Sequence, residues 1–389
     1  MDREVLLNLR KFLVPEIVYG RGAIGLAGRH SENLGASKVL LVTDPGVRAA
    51  GWTGKVESGL KHHGIPYVIF DRLTENPKDY EVMEGAAVYR EEGCDLILAA
   101  GGGSPMDCAK GIGVVAGNGG NISDFKGVDE VPRPGPPLIF IPTTAGTSAD
   151  VSQFAIITDS EQGVKIAVVS KMVIPDISIV DPETCLTMPP ELTASTGMDA
   201  LCHAFEAYVS TASSPLTDMA ALRAVELIAG NLVSAYRNPA DITSRDHMMM
   251  ASLMAGLAFS NASLGLVHAM AHSLGGGLDL AHGECNAVLL EKVVRFNFDA
   301  AEEKYTRLFR AMKPSEKGTA AASDASKTGE YIGTLRKRLG ITDRLSDMGV
   351  RPEDIPGLAR SAFLDPCLAT NPKTAGVKDI EMIYHSIYQ

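Results

Sequence analysis

Asp199 and His203 stand four residues apart in TGMDALCHAFEAY, and His268, His272 and His282 follow in GLVHAMAHSLGGGLDLAHGE. The chain has nine histidines, and three of them fall within this one short stretch. Residues at i and i+4 share a helix face. Two helices, with one more ligand from the loop after the second, would bring a carboxylate and several imidazoles to a point. The neighbours Ala200, Leu201, Cys202 and Phe205 are apolar. An unpaired carboxylate among them would be costly, so Asp199 requires a cationic partner or a metal. One carboxylate with three imidazoles leaves a position open for a substrate oxygen, which is what a Lewis acid needs. Such a set suits Fe(II), Zn(II), Ni(II) or Mn(II), and ligand softness does not choose among them. The competing reading is a set of hydrogen-bonded core residues, and spacing alone keeps all five as candidates. His30, His62, His63, His247 and His385 have polar contexts and read as solvated.

A second chemical feature is AAGGGSPMDCAKGIG. Gly101, Gly102 and Gly103 lack side chains, so an anionic ligand can approach the backbone. Ser104 reads as the N-cap of a following helix, with Pro105 at its first position and Asp107 completing a capping-box pattern. The run matches neither GxGxxG nor a P-loop, because Met106 stands at the third glycine position and no GK[ST] follows. Three glycines exceed what a tight turn needs, which favours phosphate binding over a simple turn. Asp44 ends an earlier strand. A carboxylate there can accept from a ribose diol and would repel a 2′-phosphate, although in TDPG it is also an ordinary turn residue. PTTAGTS at 142–148 adds hydroxyls at the end of another strand.

These groups need a frame. Residues 37–44, 65–71, 94–100, 136–142 and 177–181 are short Val/Ile/Leu-rich runs that read as buried strands. Helical spacing lies between them at 52–63, 79–92 and 105–116. FAIITD and KIAVVS (154–159 and 165–170) read as a hairpin interrupting the winding. Alternating strands and helices predict an α/β fold with a parallel sheet. After Pro189 strand signals vanish, and helical segments are expected at 191–210, 214–236, 244–261, 264–275, 286–297, 300–312, 319–339 and 353–363. The expected organisation is an α/β nucleotide-binding domain at 1–185 and an all-α metal-binding domain at 186–389. Gly275, Gly276 and Gly277 are expected to end the helix bearing His268 and His272. KPSEKG (313–318) reads as a surface loop.

Composition narrows the function classes. A net charge of −11 and the lack of a basic stripe argue against a nucleic-acid partner. No apolar run approaches a membrane span, and the first residues do not form a signal peptide, so no membrane partner is expected. The six cysteines include no CxxC pair and fit free thiols in a reducing, cytoplasmic setting.

Taken together, GGGSPMDCAK, PTTAGT, TGMDALCHAFEAYVS and GLVHAMAHSLGGGLDLAHGECNAVLL resemble the iron-containing (group III) alcohol dehydrogenases, and the resemblance extends over nearly the whole chain. It implies a dehydroquinate-synthase-like fold with the metal and nicotinamide in the cleft between two domains. It assigns Asp199, His203, His268 and His282 as metal ligands, with Fe(II) the family metal and zinc, nickel or manganese as alternatives. His272 becomes the non-ligand histidine near the substrate, available for proton handling. Asp44 would face the adenosine ribose of NAD. Gly102, Gly103 and Ser104 would hold the pyrophosphate, and Asn76, Asp107, Thr143, Thr144 and Lys165 would line the cofactor cleft. The implied activity is an NAD-dependent alcohol dehydrogenase acting on short primary alcohols or diols and their aldehydes, in a homo-oligomer. The rivals are a polyol or lactaldehyde reductase on the same scaffold and a weakly catalytic nucleotide-binding regulator. The chain departs from the family's TTAGTGSE at Ser148, Ala149 and Asp150, from its Pro before the last ligand at Ala281, and from DPEL at Thr184. The first of these lies beside the expected nicotinamide position, where it could alter cofactor geometry or substrate choice.

Overall fold

A computed structural model describes residues 11–313, 325–342 and 344–388. The strands are β1 (Glu16–Tyr19), β2 (Val39–Val42), β3 (Tyr67–Phe70), β4 (Leu96–Gly101), β5 (Gly127–Val128), β6 (Leu138–Pro142), β7 (Phe154–Asp159), β8 (Val164–Val169) and β9 (Ile177–Val180). The first helices are α1 (Ala27–Asn33), α2 (Pro45–Ala49), α3 (Trp52–His62), α4 (Asp79–Glu91) and α5 (Gly103–Asn118). From residue 190 onward the described chain contains helices but no strands: α6 (Pro190–Val209), α7 (Pro215–Arg237), α8 (Ile242–Ala262), α9 (Leu266–Leu278), α10 (His282–Asn297), α11 (Glu302–Met312), α12 (Ala325–Arg338), α13 (Ile355–Phe363) and α14 (Val377–Tyr388).

Six strands form one all-parallel sheet in the order β1-β9-β6-β4-β2-β3. Every residue of β2, β4, β6 and β9 is buried, as expected for strands covered on both faces. The two-residue period sorts them. Leu40, Val42, Ile97, Ala99 and Phe140 pack into one core, while Val39, Leu41, Leu98, Ile139 and Ile141 pack into the other. The expected hairpin is present as antiparallel β7 and β8, and it joins β5 in a separate three-stranded sheet. A third and larger core is helical, built on α6 to α10.

β1, β5, α1, α2 and α14 are not among the expected elements. β1 and β5 are edge strands of four and two residues, too short for a periodic signal. α14 buries Ile380, Ile383, Tyr384 and Ile387. The expected loop at 313–318 lies outside the described residues, apart from Lys313. Among the described residues no single helix is long and apolar enough to cross a membrane. α8 and α9 are long and apolar enough only when taken together, bent by 99°, and both belong to the helical core.

The segment after β6 joins the layers. Gln153 donates through its backbone N–H to Ser260 Oγ (3.1 Å) and through its side chain to the Ser260 carbonyl (2.6 Å). Ser148 donates to the Ser252 carbonyl at 2.6 Å. A Cβ on Gly256 would lie 2.4 Å from the Ser148 Cβ and 2.6 Å from a Val151 methyl. Gly256→Ala is therefore expected to overpack this junction and destabilise the protein by about 1–3 kcal/mol. A thermal melt checks this, with an unchanged midpoint counting against it.

Candidate metal centre and cofactor cleft

α6 carries Asp199, His203 and Glu206 on one buried face. α9 brings His268 and His272, and α10 brings His282 and Asn286. Asp199 Oδ1 lies 3.7 Å from His203 Nε2, 3.6 Å from His268 Nε2 and 3.7 Å from His282 Nε2. One carboxylate oxygen thus faces three imidazole nitrogens from three helices. His203 and His268 stack with ring centroids 4.6 Å apart, and Phe259 covers the other face of His203 at 4.3 Å.

One of the five candidates, and the end of the helix that carries two others, differ from the expectation. His282 is the first residue of α10, not a loop residue. A Cβ on Gly283 would lie 2.6 Å from the Ser195 carbonyl, so that glycine lets the start of α10 settle against α6. α9 does not end at its three glycines but continues to Leu278, stopping at Asp279 with φ 52°. The glycines instead admit a neighbouring strand: a Cβ on Gly275 would lie 3.0 Å from Lys165 Nζ, and one on Gly276 3.0 Å from the Lys165 backbone nitrogen.

The surroundings test whether a cation fits. His268 Nδ1 lies 2.6 Å from Glu206 Oε2, which orients the ring with Nε2 inward. Glu206 also accepts from the backbone N–H of Val267 (2.6 Å) and His268 (3.3 Å), so the same carboxylate caps the positive end of α9. Asn286 is fully buried, with Nδ2 2.6 Å from Asp199 Oδ1 and 3.1 Å from both His268 Nε2 and His282 Nε2, while its Oδ1 is buried without a partner. Burial opposes ionisation of Asp199, but the facing His203, His282 and His268 hold its carboxyl far below the usual range. Burial lowers His203 to about 4 and takes His282 well below its ordinary value. Burial also acts against His268, yet hydrogen bonds to Asp199 and Glu206 push it up to about 9. An ionised carboxylate and convergent imidazole nitrogens fit a divalent cation.

The glycine turn faces this cluster. α5 starts at Gly103 with Gly102 as N-cap, and no side chain caps it. This corrects the expected Ser104 cap and capping box. Gly101 ends β4, Gly102 is extended and only Gly103 of the three is helical, so Ser104 already lies inside the first turn, and Ser104 and Asp107 line the cleft. Gly101 packs on Pro105, where a Cβ would come within 2.5 Å, so its bareness serves the turn. Gly102 and Gly103 face Thr144 and Thr147, with Cβ positions 3.3 and 3.1 Å from their methyls. One cleft is lined by Asn76, Gly103, Ser104, Asp107 and Lys165 together with Asp199, His203, His268, His272 and His282. Asn76 bridges its walls, accepting from Lys165 Nζ and donating to Asp279 Oδ1, both at 2.8 Å. Burial raises Asp107 to about 6 and lowers Lys165.

Gly102, Thr143 and Thr144 are not among the residues that line this cleft; Thr143 is buried, while Gly102 and Thr144 are partly exposed. Asp44 lies at the carboxyl end of β2 as the N-cap of α2, its Oδ1 accepting from the Val47 N–H at 2.9 Å. Of the departures at 148–150, Ser148 takes a left-handed backbone (φ 51°), the conformation a glycine would favour. Asp150 accepts from Ser178 Oγ at 2.6 Å, away from the cleft. Ala149 alone of the three lines it. Sequence reasoning did not single out Glu206, Asn286 or Asp365. Glu206 lies seven residues after Asp199 on the same face, a legible signal. Asn286, four residues after His282, is legible only once His282 is known to be helical.

Known proteins resemble this chain in sequence and fold. Residues 15–182 match the model of the iron-containing alcohol dehydrogenases, and residues 193–388 match that of the C-terminal part of the Fe-containing alcohol dehydrogenase family. The chain is 42% identical over 380 residues to a 1,3-propanediol dehydrogenase of Klebsiella pneumoniae, covering 97% of this chain and 98% of that protein. It is 40% identical over 372 residues to an NAD-dependent methanol dehydrogenase of Bacillus methanolicus, covering 96% and 98%. The crystal structure of a 1,3-propanediol oxidoreductase superposes with a TM-score of 0.95 at 41% identity, covering 98% of this chain and 100% of that one. Fold and site define an oxidoreductase acting between alcohols and aldehydes. The chain belongs to the iron-containing alcohol dehydrogenase family.

Two outcomes test the centre. Glu206→Gln is expected to weaken metal affinity about 10–100-fold by releasing His268, measured by competition with a chromogenic chelator. Metal uptake at neutral pH is expected to release about one proton, from His268, because His203 and His282 are already neutral there. Affinity should then rise with pH up to about 9, a dependence that calorimetry in buffers of different ionisation enthalpy would reveal.

Proposed function

We propose that the protein is an NAD-dependent dehydrogenase interconverting short primary alcohols or diols and their aldehydes, with Asp199, His203, His268 and His282 holding Fe(II) or another divalent metal. The observation that carries this reading is the single cleft in which a bare helix N-terminus faces a carboxylate and three imidazoles. The names of the relatives, a 1,3-propanediol dehydrogenase and an NAD-dependent methanol dehydrogenase, support the substrate class. The second of these names supports NAD as the hydride acceptor.

When bound, the cation supplies Lewis-acid polarisation of the substrate oxygen. The chain's own residues do the rest. Glu206 holds His268 so that its Nε2 faces Asp199. Phe154, Phe259 and Leu264 form an apolar wall that excludes water beside the imidazoles. Gly102, Gly103 and Ser104, at the positive end of α5, receive the pyrophosphate. Asn76, Asp107, Thr143, Thr144 and Lys165 shape the cofactor side. Asp44 receives the adenosine ribose by turning its second oxygen outward, since Oδ1 serves as the cap of α2. His272 accepts or returns the substrate proton at Nε2, its Nδ1 being held by Asp365. Six buried free thiols and the homo-oligomeric habit implied by the resemblance complete the reading as a cytoplasmic homo-oligomer.

His268→Ala is expected to abolish metal binding and turnover together, and turnover persisting with no metal bound would sink the ligand assignment. Asp44→Ala should erode the preference for NAD over NADP by roughly tenfold or more, the loss of about one charge-assisted hydrogen bond. Steady-state rates with both nucleotides read this directly, and an unchanged ratio removes Asp44 from the cofactor site. A panel of primary alcohols, diols and lactaldehyde on iron- and zinc-loaded protein separates this reading from the polyol or lactaldehyde reductase. No turnover of any of them would favour the regulator.

A further inference from the structure

His272 stacks on His282 at 5.4 Å between ring centroids and lines the cleft, yet none of its atoms belongs to the group converging on Asp199. Its Nδ1 is committed elsewhere, 2.8 Å from Asp365 Oδ2. Asp365 comes from a distant part of the chain. It is the N-cap of the 3-10 turn Pro366–Thr370, where its Oδ1 accepts from the Cys367 N–H at 2.8 Å. The Cys367 thiol lies within 4.8 Å of this carboxylate. Asp365 is mostly buried. Burial opposes its ionisation, but His272 and the Cys367 donors outweigh that and hold it at about 2.

These contacts determine which nitrogen of His272 carries the proton. A carboxylate only accepts, so a neutral His272 places its hydrogen on Nδ1 and leaves the Nε2 lone pair towards the cleft. We infer that Asp365 is the positioning residue of the reaction: from the 3-10 turn it fixes the tautomer and ring orientation of His272, so that Nε2 meets the substrate hydroxyl as an acceptor. This rests on the proposed dehydrogenase reading and adds to it the residue that prepares the proton-handling histidine.

The geometry makes an unusual demand of an almost isosteric change. In Asp365→Asn the amide must still satisfy the Cys367 backbone N–H, which can only donate. The amide oxygen therefore takes the Oδ1 position, and the NH₂ is left facing His272 Nδ1. Nδ1 then becomes the acceptor and the proton moves to Nε2, the wrong nitrogen for receiving a proton from the substrate. A purely structural role for Asp365 predicts no such inversion.

The test uses full-length, zinc-loaded protein with ¹⁵N-labelled histidine. Long-range ¹H–¹⁵N spectra report the tautomer, and His272→Asn identifies the His272 signal. Wild type is expected to show the Nδ1–H form, Asp365→Asn the Nε2–H form and Asp365→Ala a mixture. Both Asp365 variants should lose kcat by on the order of 10²-fold, with zinc content and the KM for the nucleotide unchanged. Three results would overturn the inference: an Nε2–H form in wild type, the same tautomer in Asp365→Asn as in wild type, or an unchanged kcat. So would a second equivalent of zinc that binds wild type and is lost in Asp365→Ala, because His272, Asp365 and Cys367 would then be ligands and not a positioning pair. If wild type turns over no alcohol or aldehyde, the dehydrogenase reading fails, while the spectra still decide the tautomer.

Discussion

A carboxylate taken out of water is the constraint around which this protein is organised. Asp199 is buried in a helical core of alanine, leucine and methionine, where an unpaired charge would be strongly destabilising. It is offset by imidazoles from α6, α9 and α10. Those helices must therefore converge, and the abundance of alanine and glycine along them lets them do so. Glu206 adds a second tie. One carboxylate caps α9 and orients His268, so the fold of that helix and the alignment of a candidate ligand depend on the same group.

The same core determines where the cleft opens. The residues after β6 are bonded to α8 through Ser148 and Gln153, which holds the ends of the parallel sheet against the helical layer. The glycine turn at the end of β4 then faces the imidazoles across a narrow gap. Gly275 and Gly276 bring the hairpin, with Lys165, over the same gap. Several glycines that look like helix breakers in the sequence are thus places where backbones approach closely. His272 occupies the seam between these parts, tied by Asp365 to the turn that precedes the last helix.

Much of this was legible in the residues. The central strands could be read because they are buried on both faces and so appear as unbroken runs of branched apolar residues. The helices could be read from their spacing and length. The metal cluster was visible because a carboxylate and imidazoles at i, i+4 in apolar surroundings are costly to bury unless something cationic compensates them. The family resemblance then divided the ligands from the remaining histidine. Edge strands β1 and β5 left no such trace, since two to four residues carry no period.

By itself, the sequence determined the fold class, the family and the groups that do chemistry, because these follow from residue type and local spacing. The tertiary structure alone decided how those groups are held. Asp365 lies 93 residues from His272, and no local rule joins them. Asn286 reaches the cluster because α10 begins at His282, one residue after a break that pattern alone assigned to a loop. Ser104 looked like a cap, but the helix begins one residue earlier, at Gly103. At Ser148 and Asp150, departures from the family pattern that could have reshaped the cleft turned out to be bonded into the framework behind it. For Asp365, Asn286, Ser148 and Asp150 the deciding contact joins segments well apart in the chain, and only packing brings them together.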